Sequence, residues 1–251
     1  MELVLLTGAS GFIAKHVALK LLNAGYSVRG TLRRLDRAEE VRAAIAPHLN
    51  QSAGQLSFVQ ADLESDAGWA EAFEGVSALV HTASPFPISQ PKDPAVLIRP
   101  AVEGTERVLK AAAAAGVERV ILTSSVVAVI NESKLDTLQD EADWCDVHLP
   151  TTSAYGKSKT LAERTAWELA KARHLKLTTI NPGLVVGPSL DEHYGSSLGL
   201  VERILRGKDP MMPPFGFPMV DVRDVAEMHL RALQRPETIG RRYIAASGSM
   251  A

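Results

Sequence analysis

A short apolar run, Leu3-Val4-Leu5-Leu6-Thr7, stops at Gly8-Ala9-Ser10-Gly11 and gives way to apolar residues at helical spacing. These are Phe12, Ile13, Val17, Ala18, Leu21 and Leu22, with Gly25 as the stop. A buried strand, a glycine turn and a helix in direct succession leave few folds open. In such a unit Gly8 makes the tight turn. Gly11 lets the backbone approach a pyrophosphate at the helix N-terminus, where unpaired amides and the helix dipole favour an anion. The third, close-packing position falls on Ala14, a small residue the pattern tolerates. Two glycines at this spacing also occur in ordinary strand-to-helix turns, so the pattern around them has to decide.

That pattern is a long alternation. Strands are predicted over residues 2–7, 26–32, 56–60, 76–82, 117–124 and 175–181. Between them lie helical patterns over 36–46, 67–73, 95–115 and 154–173. Strand and helix in turn predict an α/β fold, a doubly wound parallel sheet of the Rossmann type with helices on both faces. Past Pro182 the pattern loosens into a Gly/Pro-rich region, 183–218, with one helix near 198–205, then a helix over 221–233 and a strand over 242–246. Residues 1–181 are therefore expected to form the dinucleotide-binding domain with the catalytic groups. Residues 182–251 are expected to form a small substrate-binding annex, interleaved with the first and laid over the carboxyl ends of the strands, where ligands bind in such sheets.

The end of the second strand selects the cofactor. A site for NAD usually carries Asp or Glu there, bonded to the ribose 2′-hydroxyl. This chain has Thr31-Leu32-Arg33-Arg34, followed by Arg37. A carboxylate repels a 2′-phosphate, whereas a guanidinium binds it in a fork, so the arginines favour NADP(H). Asp62, just past the third strand, is placed to contact the adenine, and is equally suited to cap a helix.

Tyr155 and Lys159 stand four apart at the start of a helix, so both project from one face, with Lys157 on another. A free tyrosine, with a pKa of about 10, is a poor base at neutral pH. A neighbouring ammonium favours the phenolate and is expected to bring that value down. The fifth strand ends in Thr123-Ser124-Ser125, where a hydroxyl donates to a substrate carbonyl and orients it against Tyr155. Ser125 is the expected catalytic position, with Ser124 in reserve. Together these groups describe carbonyl reduction, with hydride from a nicotinamide to carbon and a proton from Tyr155 to oxygen.

Composition excludes several classes. In 251 residues, 46% apolar and 22% charged, the balance is that of an ordinary globular chain. A net charge of −2 provides no field for nucleic acid or an anionic membrane. No apolar run reaches the roughly 18 residues a membrane span needs. The single cysteine, Cys145, closes no intrachain disulfide, and a reducing, cytoplasmic setting is expected. Glu2 and the lack of a basic stretch make the N-terminus read as a strand and not as a signal peptide.

Assembled, the motifs resemble the extended short-chain dehydrogenase/reductase superfamily. The matches, in order, are the Thr7–Gly11 turn, Asp62-Leu63, His81-Thr82-Ala83-Ser84-Pro85, Ser125, Tyr155 with Lys159, and the run from Asn181 to Pro188. Arg29-Gly30-Thr31-Leu32-Arg33, Asp140-Glu141-Ala142-Asp143-Trp144, Lys159-Thr160-Leu161-Ala162-Glu163 and the run from Val220 to Ala226 make it most similar to dihydroflavonol, cinnamoyl-CoA and microbial aldehyde or ketone reductases. The resemblance implies NADPH as hydride donor, with Arg33 and Arg37 on its 2′-phosphate. It also implies cofactor contacts from Ser10, Phe12, Ile13, Leu63, Thr82, Ala83, Pro182 and Val185. A small carbonyl or alcohol substrate, and a homodimer through the helices at 95–115 and 154–173, follow from the same likeness. Similar enzymes continue through further helices, so a segment closing the substrate cleft is expected beyond Ala251.

The remaining groups carry less. None of the seven histidines has zinc-ligand spacing, and no metal site is expected. His81 and His229 read as structural, His193 and Tyr194 as surface or substrate contacts, and the acidic residues of 136–146 as a solvated loop. Met211, Met212, Phe215 and Phe217 suit a pocket wall or plain packing. Three rivals to the reductase share the fold: a nucleotide-sugar epimerase or dehydratase, a 3β-hydroxysteroid-type dehydrogenase, and a non-enzymatic NADP-sensing regulator. The arginines count against the first, and the intact Tyr155/Lys159 pair against the last.

Overall fold

The computed structural model describes all residues except Ser52, 86–92, Leu135, Tyr194, 208–217 and 248–251, and of Ser196 the backbone alone. Tyr194 and the four apolar residues suggested for a pocket wall thus lie outside the described residues.

The first sheet holds β1 (Leu3–Thr7), β2 (Ser27–Leu32), β3 (Leu56–Gln60), β4 (Ala78–His81), β5 (Arg119–Thr123), β6 (Lys176–Pro182) and β9 (Arg242–Ala245). All seven are parallel, in the order β3-β2-β1-β4-β5-β6-β9. Period-two alternation sends successive side chains to opposite layers. Val4, Leu6, Ile121 and Ile180 pack into one core with α1 (Phe12–Asn23), α2 (Ala38–Ile45) and α7 (Val222–Gln234). Leu5, Val120 and Leu122 enter the other, against α3 (Trp69–Phe73), α4 (Ala95–Ala114) and α5 (Ala154–Arg173). Burial on both faces is why β1, β4 and β5 read as continuous apolar runs.

The region past Pro182 contains more order than its sequence suggests. Leu184–Val186, β7, pairs in parallel with Met219–Asp221, β8, as a second, two-stranded sheet, while α6 spans Gly195–Leu205. Three-residue strands are too short to carry a periodic signal. Gly183 sits so close to Pro218 that a Cβ would come within 2.0 Å of its carbonyl oxygen. Parallel strands place their C-terminal ends together, and the order reverses between β1 and β4. That switch point opens a crevice along the carboxyl edge.

Candidate active site

On one side of the crevice lies the turn from β1 into α1. Gly8 has a φ of +69°, and a Cβ there would meet the Cβ and Cα of Ala83 at 3.0 and 3.1 Å. Glycine is therefore required for conformation and for room. The Gly8 amide donates to Thr31 Oγ1 and the Ala9 amide to the Thr31 carbonyl, both at 3.0 Å, which ties the turn to the end of β2. Thr7 Oγ1 accepts the Thr82 and Ala83 amides at 3.1 Å each, and Thr82 Oγ1 returns a bond to the Thr7 carbonyl.

Gly11 opens α1 as its N-cap with no side chain accepting the first-turn amides. Its own Cβ position would press on the Gly8 carbonyl at 3.2 Å. A bare helix start over a cradle that a Cβ would fill fits the pyrophosphate of a dinucleotide. Ser10 and Ile13 are half-buried beside it, while Phe12 is buried with its ring edge-on to His16 at 5.7 Å.

At the end of β2 the arginines divide. Arg33 is exposed, Arg34 pairs with Asp36, and Arg37 is engaged by Glu40 at 2.6 Å, a contact that raises its pKa. Glu40 also meets His193 Nδ1 at 3.0 Å, and Asp191 pairs with the buried Lys15 of α1. Glu40, Asp191 and His193 bring ligand-type atoms within 4.8 Å of one another, a cluster invisible in the sequence. Arg37 and Lys15 already neutralise its two carboxylates. Asp62 Oδ1 accepts the Glu64 amide at 3.1 Å, closing its own turn past β3. Leu63 packs on α4, where a Cβ on Gly104 would lie 2.9 Å from it. Val185 is buried in the core beneath the site.

Across the crevice lie the residues expected to carry the chemistry. Ser153 caps α5 by accepting the Gly156 amide at 3.0 Å, which fixes Tyr155 in the first turn and Lys159 one turn later. Lys157 points elsewhere and is half-buried. Ser125 lies just past β5, bonds Tyr155 through its side chain and approaches the Pro182 carbonyl at 3.5 Å. Ser124 turns the other way and donates to Glu163 at 2.5 Å. The structure thus sets Ser125, and not Ser124, against the phenol.

Burial pushes the Tyr155 hydroxyl up to about 12, with the Ser125 hydrogen bond pulling it back. The lowering expected from Lys159 does not appear: burial outweighs every favourable contact of the phenol, and the Ser125 hydrogen bond is the contact that pulls its pKa down. Lys159 itself is held down to about 8 by burial, with Glu163 raising it.

Behind the pair, a small cavity is lined by His81, Ala83, Ser84, Ser124, Lys159 and Glu163. Thr7 Oγ1 accepts two amides, so its proton goes to His81 Nδ1, 2.7 Å away, and Nε2 keeps the ring hydrogen. That Nε2 has no partner among the described residues, and burial with the Lys159 charge holds the ring down to about 3. His229 differs: Thr123 Oγ1 and the Val225 carbonyl satisfy both its nitrogens at 2.7 Å.

Sequence reasoning missed the support of this side. Glu163 is fully buried and pairs with Arg242 Nε of β9 at 2.7 Å. Arg242 lies 3.8 Å over the Trp144 ring and donates to the Glu141 and Asp143 carbonyls. The acidic stretch is therefore not a free solvated loop, because a buried guanidinium pins its backbone. The signal for Glu163 was present, one helical turn past Lys159. The signal for Arg242, 79 residues away, was not.

Against known proteins, residues 4–246 match the model of the NAD dependent epimerase/dehydratase family. Cinnamoyl-CoA reductase 1 of Arabidopsis thaliana is 36% identical over 97% of this chain and 70% of its own length. Tetraketide alpha-pyrone reductase 2 of the same plant is 32% identical over 96% and 77%. Yeast methylglyoxal/isovaleraldehyde reductase Gre2, solved with NADPH, superposes with a TM-score of 0.85 at 31% identity, covering 97% of this chain and 78% of that one. The chain belongs to the NAD dependent epimerase/dehydratase family, as an oxidoreductase of the extended short-chain dehydrogenase/reductase type.

Proposed function

We propose that this enzyme reduces an aldehyde or ketone to an alcohol, reversibly, with NADPH as donor. The observation that carries the proposal is the hydrogen bond between Ser125 and Tyr155 beside the buried Lys159, across the crevice from the glycine turn. Gly8, Gly11 and the first-turn amides of α1 would hold the pyrophosphate, and Arg33 the 2′-phosphate. Thr82, Ala83, Pro182 and Lys159 would border the nicotinamide half. When bound, the cofactor supplies the hydride that the carbonyl carbon accepts.

The chain's own groups handle the oxygen. Ser125 donates to the carbonyl oxygen and orients it. As the carbon gains its new C–H bond, the Tyr155 O–H breaks and its proton passes to the oxygen, leaving a phenolate beside the Lys159 ammonium. A phenol held at about 12 is protonated at neutral pH and so carries the proton it would give. In the reverse direction the same groups exchange roles. The names of the relatives, three reductases, support the direction written.

The test is the absorbance of NADPH while aldehydes, ketones and nucleotide sugars are offered in turn. Consumption with a carbonyl, lost in Tyr155→Phe, is the expected result. Tight NADPH binding without consumption by any carbonyl would favour a sensing role, and conversion of a nucleotide sugar without net consumption would favour an epimerase.

A further inference from the structure

We propose that Glu163 is a positioning residue for this reaction, a buried carboxylate that fixes Ser125 from two sides and supplies the counter-charge to Lys159. The inference rests on the reductase reading above. Glu163 accepts from Ser124 Oγ at 2.5 Å, Asn181 Nδ2 at 2.8 Å, Thr179 Oγ1 at 3.1 Å and Arg242 Nε at 2.7 Å. The same Asn181 amide group donates to the Ser125 carbonyl at 3.2 Å. The backbone of Ser125 is thus held through Asn181 on one side and through its neighbour Ser124 on the other, with Glu163 as the common acceptor.

Tyr155, Lys159 and Glu163 recur every four residues and form one stripe of α5. Lys159 and Glu163 line the same small cavity. The groups acting with Lys159 are Glu163 from its own helix and neutral His81 from β4, whose ring has its proton-accepting nitrogen committed to Thr7, with Tyr155 one turn before it on the same stripe. Facing Glu163 are Lys159 and, from β9, Arg242. Glu163 is therefore the acidic group acting on the lysine. Arg242 has anchors of its own in Trp144 and three backbone carbonyls, so clamping that arginine does not account for the bonds to Ser124 and Asn181.

The experiment compares wild type with Glu163→Gln, Glu163→Asp and the double variant Glu163→Gln/Arg242→Met. Removing one member of a buried pair strands the other, whereas replacing both is often tolerated, so the double variant covers the case in which Glu163→Gln does not fold. Glu163 is the charge named as acting on Lys159, so the double variant still removes the group under test. Two readouts are taken: titration of the Lys159 ammonium by NMR on lysine-labelled protein without substrate, and the kcat–pH profile with NADPH and a carbonyl. In the Gln variants Lys159 should titrate about one pH unit lower. The alkaline limb of kcat should follow it down, with kcat about 10²-fold lower from the displaced serine. Glu163→Asp, which keeps the charge, should restore the titration. An unchanged Lys159 titration in a folded Gln variant, single or double, would overturn the proposal. If wild type consumes NADPH with no carbonyl, the reductase reading fails separately, and the lysine titration still decides the role of Glu163.

Discussion

The turn between β1 and α1 is built from backbone and missing side chains, whereas the region between β5, α5 and β6 is built from buried polar side chains. On the first side, Gly8, Gly11 and a bare helix start leave room for a ligand that brings its own charge. On the second, Ser124, Glu163, Asn181 and Arg242 hold one another before any ligand arrives. A cofactor that is bound and released calls for an open cradle. A proton donor that must meet one oxygen calls for groups already in place. Substitutions should therefore separate along this line, binding on one side and turnover on the other.

The largest separation is expected from Tyr155→Phe. Without its hydroxyl, turnover should drop by about 10²–10⁴-fold, the usual contribution of a positioned proton donor, while NADPH affinity measured by fluorescence titration stays unchanged. Gly8→Val should do the reverse. A β-branched residue at a φ of +69°, with Ala83 in the way, strains the cradle by about 1–3 kcal/mol. NADPH binding should weaken at least tenfold, with a lower Tm in calorimetry. A variant that bound normally would show that the ligand does not use this turn.

Arg33→Asp comes next. Losing charge-assisted bonds of about 1.5–3 kcal/mol should shift the NADPH-to-NADH preference by roughly 10- to 100-fold in kcat/KM. Arg37→Ala is expected to do least, below about fivefold in NADPH affinity, because its guanidinium already spends its contacts on a half-exposed pair with Glu40. An effect as large as that at Arg33 would mean that the pair opens to receive the phosphate.

The same contrast explains what the sequence discloses. Gly8 and Gly11, and Tyr155 with Lys159, are local patterns: a turn needs its glycines within four residues, and a helix face needs its pair four apart. The central strands β1, β4 and β5 were legible for a similar reason, since burial on both faces writes an unbroken apolar run such as Leu79-Val80. Pairing across the chain leaves no such trace. Glu163 meets Arg242 across 79 positions, and Lys15 meets Asp191 across 176. β7 and β8, three residues each, exist because they pair with one another and not because either prefers to be a strand. The phenol shows the limit in energy terms. Spacing alone promised a lowered pKa for Tyr155, but burial, which no spacing reveals, raises it to about 12.

The proposed chemistry brings a hydride and a proton from opposite sides of the crevice onto one carbonyl. Its most direct measurement uses NADPH carrying deuterium at the transferring position of the nicotinamide, together with a carbonyl that the enzyme consumes. Deuterium should appear on the carbinol carbon of the alcohol, one per NADPH oxidised, and Tyr155→Phe should abolish its transfer. Deuterium retained on the cofactor, or returned to it after a sugar has been converted, would contradict the account.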